Sequence, residues 1–264
     1  MDLQLNGKRA LVTGSTAGIG LAIAQHLAAE GATVTINGRT QQRIDEAVKQ
    51  IKQAAPKANV SGIAADLGTA DGCSVLVKHL PAVDILVNNV GIFEPKEFAD
   101  IPDADWMKFF ETNVMSGVRL TRAYLPGMLK ANWGRVIFVS SESAVQIPKE
   151  MIHYGMTKTA QIAVARGIAE TTRGTGVTVN SLLPGPTKSE GVATFVEQMA
   201  KQNKVDFATM EKDFFKHARP TSLLQRFATV EEVAAMATYL CSPLASATTG
   251  AAVRVDGGVV QAAI

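Results

Sequence analysis

Tyr154 and Lys158 stand four residues apart in the stretch that runs from Ser140 to Lys158. If the chain from Met151 onward is helical, both side chains share one face, about one turn apart. An ammonium beside a phenol stabilises the phenolate and lowers a tyrosine pKa that starts near ~10. Such a pair would work as an acid/base group near neutral pH. Ser141, thirteen residues before Tyr154, follows the apolar run Arg135-Val-Ile-Phe-Val-Ser140. A strand ending there would place its hydroxyl beside the phenol. Taken alone, the pair reads equally well as a surface tyrosine beside a solvated lysine, so its context decides.

That context is an alternation of short β-branched runs with longer helical segments. Strands are expected at Arg9–Thr13, Ala32–Ile36, Val60–Ala65, Val83–Val87, Arg135–Ser140, Val177–Leu182 and Ala251–Val255. Helices are expected at Ile19–Glu30, Gln41–Ala55, Ala70–His79, Asp103–Lys130, around Tyr154, and at Val230–Cys241. Seven strands interleaved with helices imply an α/β fold, a Rossmann-like doubly wound parallel sheet covered on both faces. No linker or solenoid-period repeat interrupts it, so residues 1–264 are expected to form one domain. Hydrophobic content of 47% with 19% charged residues suits an ample core.

Ligands of such sheets bind at strand ends, where the strand order switches. After the first strand comes Thr13-Gly-Ser-Thr-Ala-Gly-Ile-Gly20, with glycines at 14, 18 and 20. They permit a tight turn and free the amides of the following helix for a pyrophosphate. The spacing differs from the common Gly-x-Gly-x-x-Gly fingerprint, and a glycine turn without a ligand is the plain alternative. At the end of the second strand, Gly38 stands where an NAD-selective chain carries an acid, with Arg39 beside it. A guanidinium there suits a 2′-phosphate, so NADP(H) is the expected cofactor and NAD(H) a possible one. Asp66-Leu67 could meet an adenine edge, and Asn88-Asn89-Val90-Gly91 supplies amides and a flexible glycine. Asp66 and Asn88 read equally as caps or turn formers.

The formal net charge of +2, without long single-sign blocks, argues against a nucleic-acid surface or a polybasic membrane anchor. Val233–Val253 carries no charge but is broken by Pro243 and Gly250, so no membrane span is expected. Cys73 and Cys241 are too few for a disulfide framework and read as small buried side chains. The first residues lack a signal-peptide pattern, which makes a reducing cytoplasm the expected location. His26, His79, His153 and His217 show no ligand spacing, and no metal is expected. An adjacent helical residue points about 100° away, so His153 is expected to be structural despite neighbouring Tyr154.

In order and spacing, Thr13–Gly20, Asn88–Gly91, Asn113, Ser141, Tyr154/Lys158, Pro184-Gly185 and Asp256-Gly257-Gly258 resemble the short-chain dehydrogenase/reductase family. The likeness is to its variant of about 250 residues and runs nearly end to end. Val90 replaces the family's usual alanine, a conservative departure. The resemblance implies an NAD(P)(H)-dependent oxidoreductase interconverting a carbonyl and an alcohol by hydride transfer. Tyr154 would exchange the proton with the carbonyl oxygen. Lys158 would lower the Tyr154 pKa and hold the nicotinamide ribose, and Ser141 would donate to the developing alkoxide. Asn113 would sit at a break in the long helix and support a water leading protons to Lys158; a polar residue on a helix surface is the alternative. Gly14, Ser15, Thr16, Gly18, Ile19, Gly20, Arg39, Asp66, Leu67, Asn88, Gly91, Tyr154, Lys158, Pro184, Gly185, Thr187 and Ser189 would line the cofactor, the last two at the carboxamide.

The same resemblance makes residues 188–220 a substrate lid. Phe195, Met199, Val205, Phe207, Met210, Phe214 and Phe215 would give it an apolar face, and Phe93, Gln146 and Ile147 would complete the walls. A mostly apolar carbonyl compound would follow; packing of these side chains against the sheet is the alternative. Rival functions are 3-oxoacyl-[acyl-carrier-protein] reduction, with Arg119 and Arg122 as docking cations, and a non-catalytic dinucleotide sensor. Thr159–Ala169 is apolar on nearly all sides, and the terminal Val259–Ile264 is apolar too. Both point to a homo-oligomer, a tetramer or a dimer.

Overall fold

The computed structural model describes residues 1–203 and 205–263, without the side chains of Phe195, Gln198 and Asn203. Phe195 of the expected lid and the terminal Ile264 therefore lie outside the described residues.

Seven strands, β1 (Arg9–Val12), β2 (Thr33–Gly38), β3 (Val60–Ala64), β4 (Ile85–Asn88), β5 (Gly134–Val139), β6 (Val177–Pro184) and β7 (Ala252–Val255), form one sheet. Its order is β3-β2-β1-β4-β5-β6-β7, and every pairing is parallel. The order reverses between β1 and β4, which opens the crevice expected for such sheets. Alternate strand residues feed two apolar layers. Val12, Ile85, Val87, Ile137, Val139 and Leu182 face one, and Leu11, Leu86, Val136, Phe138 and Val179 face the other. A sheet covered on both sides must be apolar on both, which is why these strands read as continuous rather than alternating runs.

The first layer is closed by α1 (Gly18–Ala29), α2 (Gln41–Ala54) and α9 (Val230–Cys241). The second is closed by α3 (Ala70–His79), α5 (Ser116–Lys130) and α6 (Ile152–Thr171). The start of α9 is fixed by a capping box between Thr229 and Glu232. The helix expected over Asp103–Lys130 is α4 (Asp103–Phe110), a π-helical segment (Glu111–Met115), then α5. Between β6 and α9, α7 (Glu190–Asn203) and α8 (Phe207–His217) form a separate unit with its own cluster of Val196, Ala200, Met210, Phe215 and Phe227. Both cysteines are buried and free. Among the described residues no helix is long and apolar enough to cross a membrane.

Candidate active site

β5 ends at Val139, and the chain turns at once into a short 3₁₀ segment, Glu142–Ala144, capped by Ser141. This turn faces α6, which presents Tyr154 and Lys158 on one side. Between them and the α7–α8 unit lies a cavity of about 870 Å³. Ser141, Tyr154 and Lys158 all line it, as do Phe93, Gln146 and Ile147. Val192, Val196, Met199 and Phe214, from α7 and α8, also line it. The remaining large side chains of this segment pack mainly on each other rather than on the sheet.

Lys158 is buried, and its Nζ donates to the Val139 carbonyl at 3.0 Å, lying 5.5 Å from the Tyr154 ring centre. Burial pushes its pKa down to about 8. The resemblance implies that Lys158 lowers the Tyr154 pKa; in this structure other groups set the direction. Burial, and then the Glu142 carboxylate, push the phenol above its ordinary value, with Ser141 and Arg219 only partly offsetting them. The neighbouring carboxylate repels a phenolate. Tyr154 therefore keeps its proton at neutral pH, the state a proton donor needs.

Glu142 is the residue that sequence reasoning missed. Its carboxylate is buried (4% exposed) and lines the cavity. Oε2 accepts the Ser141 hydroxyl at 2.5 Å, and Oε1 accepts Arg219 Nε at 3.1 Å. Arg219 Nη1 also reaches Glu150 Oε1 at 3.2 Å, so this guanidinium, just beyond α8, ties that end of α8 to both Glu142 and Glu150. The only sequence signal was an acid directly after Ser141 at the end of a buried strand; Arg219, distant in the chain, gave none. The Ser141 proton expected on a substrate oxygen is thus held by Glu142, while Ser141 Oγ accepts the Ser143 amide at 3.1 Å.

Asn113 is buried in the π segment and does not line the cavity. It clamps Ile92 through both backbone groups, at 2.7 and 3.0 Å, and donates to Thr157 Oγ1 at 3.0 Å. Its own carbonyl, freed by the π geometry, accepts Gln161 Nε2 at 2.7 Å. His153 is buried against Phe109 and Trp106, away from the cavity.

Along the same sheet edge the glycine turn has the form a pyrophosphate requires. Gly14 and Gly18 both adopt positive φ, +58° in each case. A Cβ at Gly20 would stand 2.4 Å from Asn89 Nδ2, an amide that itself braces the turn by donating to the Thr13 and Gly14 carbonyls. The N-cap of α1 is Ala17, which offers no side-chain acceptor, and the first turn holds no acid. The amides there are left for an anion. Ile19, Gly91, Pro184, Gly185, Thr187 and Ser189 reach the cavity. Thr16 and Arg39 do not line it; Thr16 packs against the Gly38 backbone and Arg39 is exposed. Ser15 is buried, its hydroxyl donating to the Val12 carbonyl, and Leu67 is in the core, so either would meet a cofactor only through backbone. The Asn88 amide donates to Thr121 Oγ1 at 3.2 Å, away from the cleft, and Asp66 Oδ1 accepts the Gly68 amide at 3.0 Å. The turn reading describes the Asp66 side chain, whereas Asn88 ties the end of β4 to α5.

Residues 8–200 match the family model described as short chain dehydrogenase. The chain belongs to the short-chain dehydrogenase/reductase family. It is 50% identical over 261 residues to the uncharacterized oxidoreductase YvaG of Bacillus subtilis (strain 168), covering 99% of each. It is 32% identical over 265 residues to the 3-oxoacyl-[acyl-carrier-protein] reductase FabG of Aquifex aeolicus (strain VF5), covering 98% of this chain and 100% of that one. Among solved structures, L-sorbose reductase from Gluconobacter frateurii, complexed with NADPH and L-sorbose, superposes with a TM-score of 0.93 at 31% identity. That match covers 99% of this chain and 100% of the reductase. The sequence-level assignment to a dehydrogenase/reductase with a parallel Rossmann-like sheet therefore holds, and the protein is an NAD(P)-dependent oxidoreductase.

Proposed function

We propose that this member of the family is an NADPH-preferring reductase of small carbonyl compounds, running in reverse as an alcohol dehydrogenase. The observation that carries the reading is the convergence of Ser141, Tyr154 and Lys158 on one cavity at the sheet's switch edge. A bound nicotinamide supplies or takes up a hydride. This chain's residues do the rest. Tyr154 holds a proton at the carbonyl oxygen, and Lys158, with one of its three donors on Val139, keeps two for ribose hydroxyls. Asn113 fixes the Ile92 loop against α6, and the lid excludes water.

The preference for NADPH is supported by the end of β2. A Cβ at Gly38 would lie 2.5 Å from Thr16 Cγ2, so an acidic side chain has no room where it would favour NAD. Arg39 is exposed, and among the described residues no ion pair engages it. The acyl-carrier-protein reading draws less support, because Arg119 is committed to Glu111 at 2.6 Å. The sensor reading would need the Ser141–Tyr154–Lys158 set to be broken, and it is intact.

The single-domain organisation, the cytoplasmic location and a homo-oligomer, tetramer or dimer, belong to the same proposal. The outer face of α6 carries small or exposed residues, Thr159, Ala163 and Gly167, suited to close helix approach. A monomer mass by light scattering at micromolar concentration would contradict the oligomer. The function is tested by screening ketones, 3-oxoacyl thioesters and alcohols for NADPH and NADH absorbance change. Turnover of simple ketones with NADPH supports it; turnover confined to thioesters, or none at all, overturns it.

A further inference from the structure

Ser141 has one hydroxyl proton, and the structure gives it to Glu142. Resting on the carbonyl-reductase reading, that proton must swing to the substrate oxygen when Ser141 acts. Glu142 Oε2 then loses its donor while remaining buried at 4% exposure, with Arg219 holding only Oε1. A buried carboxylate oxygen stripped of a donor is costly, and more so than a neutral one. Simple ketones cannot repair this. A hydroxyl on the carbon next to the carbonyl can, because the substrate oxygen at Ser141 and the carboxylate at Glu142 are neighbours of the same hydroxyl. Phe93, Ile147, Met151, Val192 and Phe214 on the remaining wall give apolar surface for the rest of such a molecule.

We infer that Glu142 is a specificity-determining residue that accepts a substrate hydroxyl adjacent to the carbonyl, so that the preferred substrates are neutral α-hydroxy ketones and, in reverse, vicinal diols. The carboxylate takes over a proton donor from the substrate at the moment Ser141 withdraws its own. A carboxylate-bearing substrate placed there would meet like charge and supply no donor.

The test uses three matched ketones with NADPH: α-hydroxyacetophenone, α-methoxyacetophenone and propiophenone. The methoxy compound keeps the electron-withdrawing oxygen and removes the donor; propiophenone keeps the shape alone. The wild-type enzyme should favour the hydroxy compound over both by roughly 10- to 100-fold in kcat/KM, the scale of one hydrogen bond to a charged group. Glu142→Gln should bring the three within a few-fold of one another, and a ratio between substrates cancels any general damage from loosening Arg219. Ser141→Ala should slow all three while keeping the preference, since Glu142 is then short of a donor throughout. A wild-type ratio near one between the hydroxy and methoxy compounds overturns the inference with no variant needed. So does an undiminished preference in Glu142→Gln, or a preference lost in Ser141→Ala. None of these results touches the broader reductase reading, which falls instead if the wider screen finds turnover confined to thioesters, or none at all.

Discussion

Two arginines, one at the end of β2 and one just beyond α8, have surroundings that could hardly differ more. Arg39, at the end of β2, is exposed, and among the described residues no acid pairs with it. Arg219 is buried between Glu142 and Glu150. A guanidinium in water is a cheap, adaptable site for an incoming phosphate, because nothing has to be broken before it binds. One wedged between two carboxylates is already spent; its charge holds the turn after β5 and the segment beyond α8 together. Under the proposed function, Arg39 serves recognition by charge, and the Glu142–Arg219 end serves proton handling away from water.

The largest expected effect breaks the buried end at its reactive atom. Tyr154→Phe keeps the ring and its edge contact with Phe93 but removes the transferable proton. Turnover should fall by ~10²–10⁴, with cofactor affinity, read by fluorescence titration, little changed. Near-normal turnover would remove Tyr154 from the chemistry. Next, Arg219→Ala leaves Glu142 without its cation in a buried setting. Chemical denaturation should show a loss of about 3–5 kcal/mol, the scale for breaking a buried pair. A loss below about 1 kcal/mol would mean that the clasp is no stronger than a surface bridge.

Lys158 gives the buried end a pH signature. Its pKa is about 8 in the folded chain and 10.5 ordinarily. Below pH 8 it is charged in both folded and unfolded chains, and its burial cost is fully felt. Between pH 8 and 10.5 the unfolded chain holds a proton that the folded one has released, so this residue makes stability rise with pH. A Lys158→Met variant escapes that cost, so its stability relative to wild type should drop by about 2–3 kcal/mol across the window. A difference flat with pH would show that Lys158 is not desolvated as the structure has it. The Arg39 end should respond least. Arg39→Ala should raise the NADPH dissociation constant roughly ten- to a hundredfold by isothermal titration and leave NADH nearly unchanged. Equal losses for both cofactors, or a wild-type preference for NADH, would erase the contrast between the two ends.

Much of this was legible in advance. The seven strands and their helices follow from runs such as Val136-Ile-Phe-Val139, whose apolar continuity only a doubly covered sheet can satisfy. Boundaries shifted by a residue or two: β4 begins at Ile85 rather than Val83, and β6 runs on to Pro184. The break at Asn113 was expected only through family likeness, since a π segment has no composition of its own. Less legible were side-chain directions at strand ends. Asn88 and Leu67 sit where a ligand could be met, yet both turn inward, because register rather than residue type sets which way they face.

By itself the sequence determined what is local or periodic. It set the parallel sheet, the glycine turn, the serine that ends a strand, the Tyr154–Lys158 face of one helix turn, and the absence of an acid at position 38. Each depends on neighbours a few residues away or on a repeat of two or 3.6 residues. The tertiary structure alone decided what those groups feel. It placed Arg219 against Glu142 across 77 residues of chain, turned Lys158 onto Val139, and spent the Ser141 proton on a buried carboxylate. Burial and long-range contact set the proton affinities of Tyr154 and Lys158, and no local pattern encodes either one, because both depend on what the rest of the chain packs around them.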